Sequence, residues 1–361
     1  MLTIILKIYG IDTCRISSLY KFLSKFYVVF MHLIPAYLAL AYILLHLYYS
    51  MPIQFALGCV AASVFPLAIH HSIRSKKHLL NNVLTNYYKI NSLQNITRNT
   101  NKRLVANLLV AGTALITMLF ATMIAMMMAS NPLIKPAFSL FINFEDDVLG
   151  ISVCFIVIQI MHIYQFAFPV FAGIMCGFFY YEFGEIFLRF RKELKCKGSS
   201  FYRDDILSSV KMYSSLYQLV HDLQNAVSLP CFFFLCTLLT DLFCTIASFV
   251  ITWEKHVSAP HLCETVLIIT LAIPSVVGTV LCGSRINTQY QKTQTAIVLL
   301  KDRLIKQAYY DETIVCYLNL MMDKEFPIMS ACGIVQLTPN FMLGMFGSLF
   351  TYSLLILNLK K

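Results

Sequence analysis

The chain has 361 residues, 58% hydrophobic and only 13% charged, with a net charge of +10 and a mean hydropathy of +0.69. A soluble protein of this make-up would expose large apolar patches and aggregate, which leaves a polytopic membrane protein as the class. Nor is the positive excess a nucleic-acid footprint, because it is gathered in short loops where anionic lipid accounts for it.

The opening run Met1–Leu6 is broken by Lys7 and lacks a small-residue cleavage site, so no cleavable signal is read there. The first span is expected to act as the insertion signal. Seven apolar stretches then follow: Phe26–Tyr49, Ile53–Ile69, Leu104–Ala129, Val148–Tyr181, Leu229–Trp253, Val266–Cys282 and Ile328–Leu359. They hold 17 to 34 residues each, and a spanning helix needs about 20. The Lys and Arg residues between them alternate sharply. Four precede the first span, seven lie in 70–103, seven in 182–228 and six in 283–327, whereas the intervening segments and the tail hold four together. Because short cytoplasmic loops carry the basic excess, the N-terminus is expected inside and the C-terminus outside, the reverse of a G-protein-coupled receptor. On this topology the sequon Asn95-Ile96-Thr97 is cytoplasmic and unused.

No soluble domain is visible. The segment 70–103 reads as a basic loop with no acidic residue, set by topology near lipid headgroups. Two other inner connections read as helix. Phe183, Ile186, Phe187, Phe190 and Leu194 carry the apolar spacing of span four onward, and Ile206, Val210, Tyr213, Leu216, Tyr217, Val220 and Leu223 lead into span five after a break at Gly198-Ser199-Ser200. Ile297, Leu300, Leu304, Ile305, Ala308, Ile314 and Leu318 repeat the pattern later. Such stripes must be buried, either against one another as a cytoplasmic hub or on the inner leaflet. The expected parts are a bundle over 26–282, a cytoplasmic helical anchor from 182–225 and 284–330, and a last helix over 331–359 within one seven-transmembrane domain. At 32 residues the seventh stretch is longer than a bilayer requires, and Pro339, Gly344 and Gly347 fall near its middle. A broken last helix is therefore expected, of the kind tolerated where it is buried in protein or lines a water-filled cavity.

Thr351-Tyr352, five mostly apolar residues (Ser353-Leu354-Leu355-Ile356-Leu357) and then Asn358-Leu359 close the chain. This pattern resembles the signature of insect gustatory receptors, in which Thr-Tyr, five hydrophobic residues and Gln-Phe end the sequence. Ala331-Cys332-Gly333, Leu337 and Gly347 fall where similar members place an Ala/Cys-Gly step, a Leu and a Gly, and Tyr217–Asn225 looks like the family's segment before span five. The motif covers about 40 residues, and the inverted seven-span topology extends it. The resemblance implies an all-α, homotetrameric, ligand-gated cation channel of the plasma membrane, alone or as a heteromer with other gustatory receptors. The last half-helix of each subunit would line a central pore, the inner extensions would form the main subunit contact, and a ligand pocket would open to the outside. It implies pore and gate roles for Thr351, Tyr352, Leu355, Asn358 and Leu359. Asn358 stands where the family has Gln and keeps the amide; Leu359 stands for Phe, still apolar enough to close a pore by dewetting. Helical spacing places Thr351, Leu355 and Asn358 or Leu359 on one stripe, which either lines a pore or packs on neighbouring spans.

Asp241 is the one charged residue inside the seven stretches. A charge at that depth costs about 2.5–3.5 kcal/mol on insertion scales, so it faces a cavity as a ligand anchor or serves as a structural aspartate. Thr245 and Ser248 follow on the same helix, and Trp253 ends it as an interfacial belt residue or a ligand stacker. Gln159, His162, Tyr164 and Gln165 form a polar group in span four, with Gln159, His162 and Tyr164 as candidate pocket residues. Glu145-Asp146-Asp147 fits the capping of a helix start. The twelve cysteines include no CxxC pair and sit mostly in apolar stretches, so neither a metal nor a disulfide framework is expected. No motif for hydrolysis, phosphate binding or a cofactor is present, and Asp241 lacks a second intramembrane charge in sequence, so neither an enzyme nor a proton-coupled transporter is favoured. The preferred reading is a taste receptor channel for bitter or other non-sugar compounds, given the apolar pocket helices. An odorant-receptor relative and a secondary transporter are the alternatives, the latter weakened by the lack of an inverted repeat.

Overall fold

The structure, a computed structural model, describes residues 18–49, 53–93, 100–129, 147–196, 203–252, 259–306 and 312–359. The helices in chain order are α1 (Ser18–Tyr49), α2 (Ile53–Ser75), α3 (Lys77–Leu93), α4 (Thr100–Ala129), α5 (Asp147–His162), α6 (Phe168–Cys196), α7 (Arg203–Thr252), α8 (Ala259–Ile305), α9 (Glu312–Met322) and α10 (Pro339–Leu359). One π-helical turn, Ile163–Ala167, joins α5 to α6, and a two-residue hairpin, β1 (Ser330–Ala331) and β2 (Val335–Gln336), precedes α10. All seven apolar stretches meet a helix. Five helices are long and apolar enough on their own to cross a membrane, while Val28–Leu44 is a shorter apolar helix. The chain is a membrane protein.

Proline lies inside α1, α2, α7 and α8 (Pro35, Pro66, Pro230 and Pro274) without ending them. Neighbouring helices support such interruptions in a bundle. The longest elements, α7 with 50 residues and α8 with 47, would each reach about 70 Å at 1.5 Å per residue. They cross the bundle and continue beyond it at the basic end, as the apolar stripes require. There α6, α7, α8 and α9 pack together, and Phe187, Phe190, Tyr213, Tyr217, Tyr290 and Phe326 form a network of ring contacts with centroids 4.9 to 6.5 Å apart. Burial pushes the Tyr213 hydroxyl well above its ordinary value. Arg285 pairs with Glu185 and lies over the Tyr181 ring, 4.4 Å from its centroid. The stripes are thus buried within the chain, although Ile305 remains exposed; Ala308 and the Gly198-Ser199-Ser200 break lie outside the described residues.

Two expectations change. The basic segment 70–103 contains α3, whose Leu80, Val83, Leu84 and Ile90 are buried and whose neighbour Tyr87 donates to Glu182. Its polar composition hid a helical stripe that packs on α7. The break before the last helix is at Pro339 as expected, but the residues before it form a hairpin rather than a half-helix. Cys332 and Gly333 both take positive φ, 57° and 71°, a backbone that suits Gly at the second position, and Ile334 N–H closes the turn on Ala331 O at 3.1 Å. The pairs Ser330↔Gln336 and Ala331↔Val335 set the register. Gly344 and Gly347 do not interrupt α10, whose 21 residues span about 31 Å. That matches the hydrocarbon thickness, so the seventh stretch crosses once over 339–359 rather than over its full length.

Candidate functional site

Asp241 and Thr245 are one turn apart on α7, and both are buried. They line a cavity of about 50 Å³ with Tyr42 of α1, Ala62 of α2, Gln165 and Phe166 of the π turn, and His261, Glu264 and Ile268 of α8. The site therefore draws on five segments. Gln165 Nε2 reaches Tyr42 Oη at 3.4 Å, tying α1 to the π turn across the cavity. The extra residue of a π turn swings Gln165 and Phe166 off the face that a regular α-helix would give them. Among the described residues, Asp241 Oδ2 has no hydrogen-bond partner.

Glu264 is what the sequence reading missed. It sits two residues before the apolar stretch that starts at Val266, so it counted as loop, yet α8 begins at Ala259 and carries it into the bundle beside Asp241. A helix start moved by one or two turns would have exposed the pair: Asp241 does have a second acid at its depth. The expected polar group of span four is divided. Gln159 donates from Nε2 to Met118 O at 3.1 Å and Thr122 Oγ1 at 2.9 Å, fastening α5 to α4. Tyr164 donates to Ser63 O at 2.9 Å, fastening the π turn to α2. His162 is buried, bonds through Nδ1 to Ile158 O at 2.9 Å and meets the Phe166 ring edge-on at 5.4 Å. None of these three lines the cavity; Gln159 and Tyr164 serve helix contacts, His162 bonds within its own helix, and Gln165 alone of the four is turned to it. Trp253 lies outside the described residues, as does the Ser248 side chain.

A larger cavity, about 560 Å³, lies toward the basic end between α4, α6 and α8, with Gly112, Gly173, Gly177 and Gly278 on its walls. It holds none of the predicted ligand residues. Among the described residues no group of His, Cys, Asp or Glu could hold a metal ion, and no disulfide is formed.

The last helix is a second candidate. Its inward face, with Phe341, Met342, Met345, Phe346 and Leu349, packs on the core. The opposite face carries Gly344, Ser348, Thr351, Leu355 and Asn358 and is exposed. Hydroxyls of Ser348 and Thr351 bond back to Gly344 O at 2.8 Å and Gly347 O at 2.9 Å, which leaves their oxygens along the helix surface. Tyr352 is also exposed, and its ring meets Phe243 of α7 edge-on at 5.4 Å. The Leu359 side chain is outside the described residues. The hairpin holds the start of this helix. Gln224 of α7 donates to Ser330 O at 2.9 Å and accepts from Ser330 N–H at 3.2 Å, Ser228 Oγ accepts from Cys332 N–H at 2.7 Å, and Leu337 is packed against Gly283 of α8.

No family model matches the chain, and no curated protein matches it. Among solved structures, the insect olfactory receptor OR5 from Machilis hrabei matches with a TM-score of 0.70 at 14% identity, covering 99% of this chain and 97% of that one. The same receptor in complex with eugenol gives 0.68 at 12% identity, again over 99% and 97%. The two chains share one fold from end to end, so the expected all-helical architecture holds.

Proposed function

We propose that this chain is a chemoreceptor of the gustatory type, a tastant-gated, non-selective cation channel of the plasma membrane in sensory neurons. One observation carries the reading. A helix long enough to cross the bilayer is held by one face only, while its other face presents small and polar residues, Gly344, Ser348, Thr351 and Asn358. The Ser348 and Thr351 hydroxyls donate within the helix, but lipid offers the Asn358 amide no hydrogen bonds. Copies of the same helix around a water-filled axis do, so a homotetramer, or a heteromer with related receptors, gives the face its environment. Leu355 and Leu359 on that axis act as the apolar constriction. The closing Thr351-Tyr352 motif supports the gustatory branch. Tyr352, turned to Phe243, is better placed to seat the helix than to line the pore.

The OR5 structure in complex with eugenol favours a second reading, an odorant-type receptor for small aromatic molecules. Either receptor would take its ligand in the bundle, with Asp241 and Thr245 as polar anchors and the apolar walls favouring bitter or other non-sugar compounds. Whole-cell recording during a panel of tastants and odorants separates these readings from each other and from a transporter. Ligand-evoked cation current is the expected result, and uptake without current overturns it. The orientation, N-terminus inside and C-terminus outside, is checked by a tag placed after Lys361 that antibody reaches on intact cells.

A further inference from the structure

We propose that the cavity between α7 and α8 is a binding site for an organic amine, whose ammonium head sits between the carboxyls of Asp241 and Glu264. The inference rests on the receptor reading above and names the class of ligand. Asp241 is only 8% exposed, and its Oδ2 has no hydrogen-bond partner among the described residues. Glu264 faces the same cavity from α8, with His261 one turn before it on that helix. Two acidic groups on one small cavity repel each other when both are charged, and a cation placed between them satisfies both with charge-assisted hydrogen bonds. Tyr42 and Phe166 add aromatic rings to the same wall, surfaces that attract a cation. Size narrows the choice further. A volume of about 50 Å³ limits what can enter to a small cation head such as an ammonium group. A metal ion is the other cation of that size, but no metal-holding group of side chains occurs among the described residues. The apolar side chains of Ala62 and Ile268 continue the wall and suit the carbon part of an amine.

The full-length receptor, purified into lipid nanodiscs, tests this without a known tastant. Thermal midpoints are measured against alkylammonium chlorides from methyl to hexyl and against alcohols of equal length, with sodium chloride holding ionic strength constant. Amines are expected to raise the midpoint in a saturable way and alcohols are not, because a neutral hydroxyl leaves the two acids uncompensated. Asp241→Asn and Glu264→Gln should each weaken the amine effect roughly tenfold or more, the size of a lost charge-assisted contact. Equal shifts by amines and alcohols, no shift by either, or full retention of the amine effect in both variants overturns the proposal. Should Asp241→Asn fail to fold, Glu264→Gln, on the other wall, reads the same contact. A receptor that binds amines yet passes no current keeps this inference and sinks the channel reading; one that conducts only to neutral compounds does the reverse.

Discussion

The basic end of the molecule and its last helix meet the same demand in opposite ways. At the basic end, four helices and the Phe326 ring close on themselves: Phe187, Phe190 and Tyr213 are wholly buried, and Lys324 extends over the Tyr217 ring while donating to Ser214 Oγ at 2.6 Å. On α10, Leu343 is 79% exposed and Phe350 66%. One region completes its core from a single chain. The other is apolar enough to leave water but is covered on one side only. Burial in the first stabilises the fold of the subunit; surface in the second is available for lipid or further copies.

The comparison breaks first at Phe326, whose ring meets those of Phe187, Tyr213, Tyr217 and Tyr290. Phe326→Ala should cost about 3–5 kcal/mol, the usual range for a buried ring, and should be read as a lower thermal midpoint and reduced surface expression. A loss under about 1 kcal/mol would mean that the hub is not a core. Gln224→Ala comes next. It strips the hairpin of its partners for the Ser330 carbonyl and N–H, each of them buried, at about 1–3 kcal/mol. Because the hairpin leads from the hub into α10, trypsin sensitivity near the hairpin should rise as well. An unchanged midpoint would show that backbone pairing suffices to hold the elbow. Tyr352→Ala then removes one edge-on contact with Phe243, about 0.5–1.5 kcal/mol beyond its area. A larger cost would put Tyr352 in a core rather than at the seat of an exposed helix.

The same contrast explains what could be read from the sequence. The hub was legible because its residues obey helical spacing: Phe183, Ile186, Phe187, Phe190 and Leu194 are all buried. Leu80, Val83, Leu84 and Ile90 follow the same rule in α3, but lysines and asparagines around them masked it. The hairpin was not legible. From Ile328 to Leu337 the residues are as apolar as a span, and only the positive φ values at Cys332 and Gly333, with Pro339 after them, mark a turn. Hydropathy counts apolar residues without asking whether the backbone can continue as a helix. The site failed in a different way. Asp241 stood out as the one charge in the apolar stretches and Thr245 follows it by a turn, whereas Glu264 and Gln165 reach the cavity through where a second helix starts and how a π turn rotates its side chains. Neither is a property of local composition. Gln159 and Tyr164 drew attention as polar residues in an apolar run, and the structure gives both to helix contacts, the commoner use of a hydrogen bond in a bundle.

The smallest expected effect on stability is the most informative about α10. Leu355 is half exposed and lies on the face with Gly344, Ser348, Thr351 and Asn358, opposite the residues that pack on the core. Within one subunit, Leu355→Ala therefore removes little buried surface, and the thermal midpoint of the purified chain should move by no more than about 0.5 kcal/mol equivalent. In a tetramer with that face on the axis, the same change removes four apolar side chains from one constriction. Water would then enter a gate held shut by dewetting, and resting current in expressing cells should rise; Leu359→Ala, one turn on, should act in the same direction. The two readouts pull apart only if the exposed face belongs to an assembly. A midpoint that falls by more than about 2 kcal/mol would place Leu355 in the subunit's own packing. A stable variant that surfaces normally and leaves the resting current unchanged would turn the face toward lipid, and the pore would have to be sought on another helix.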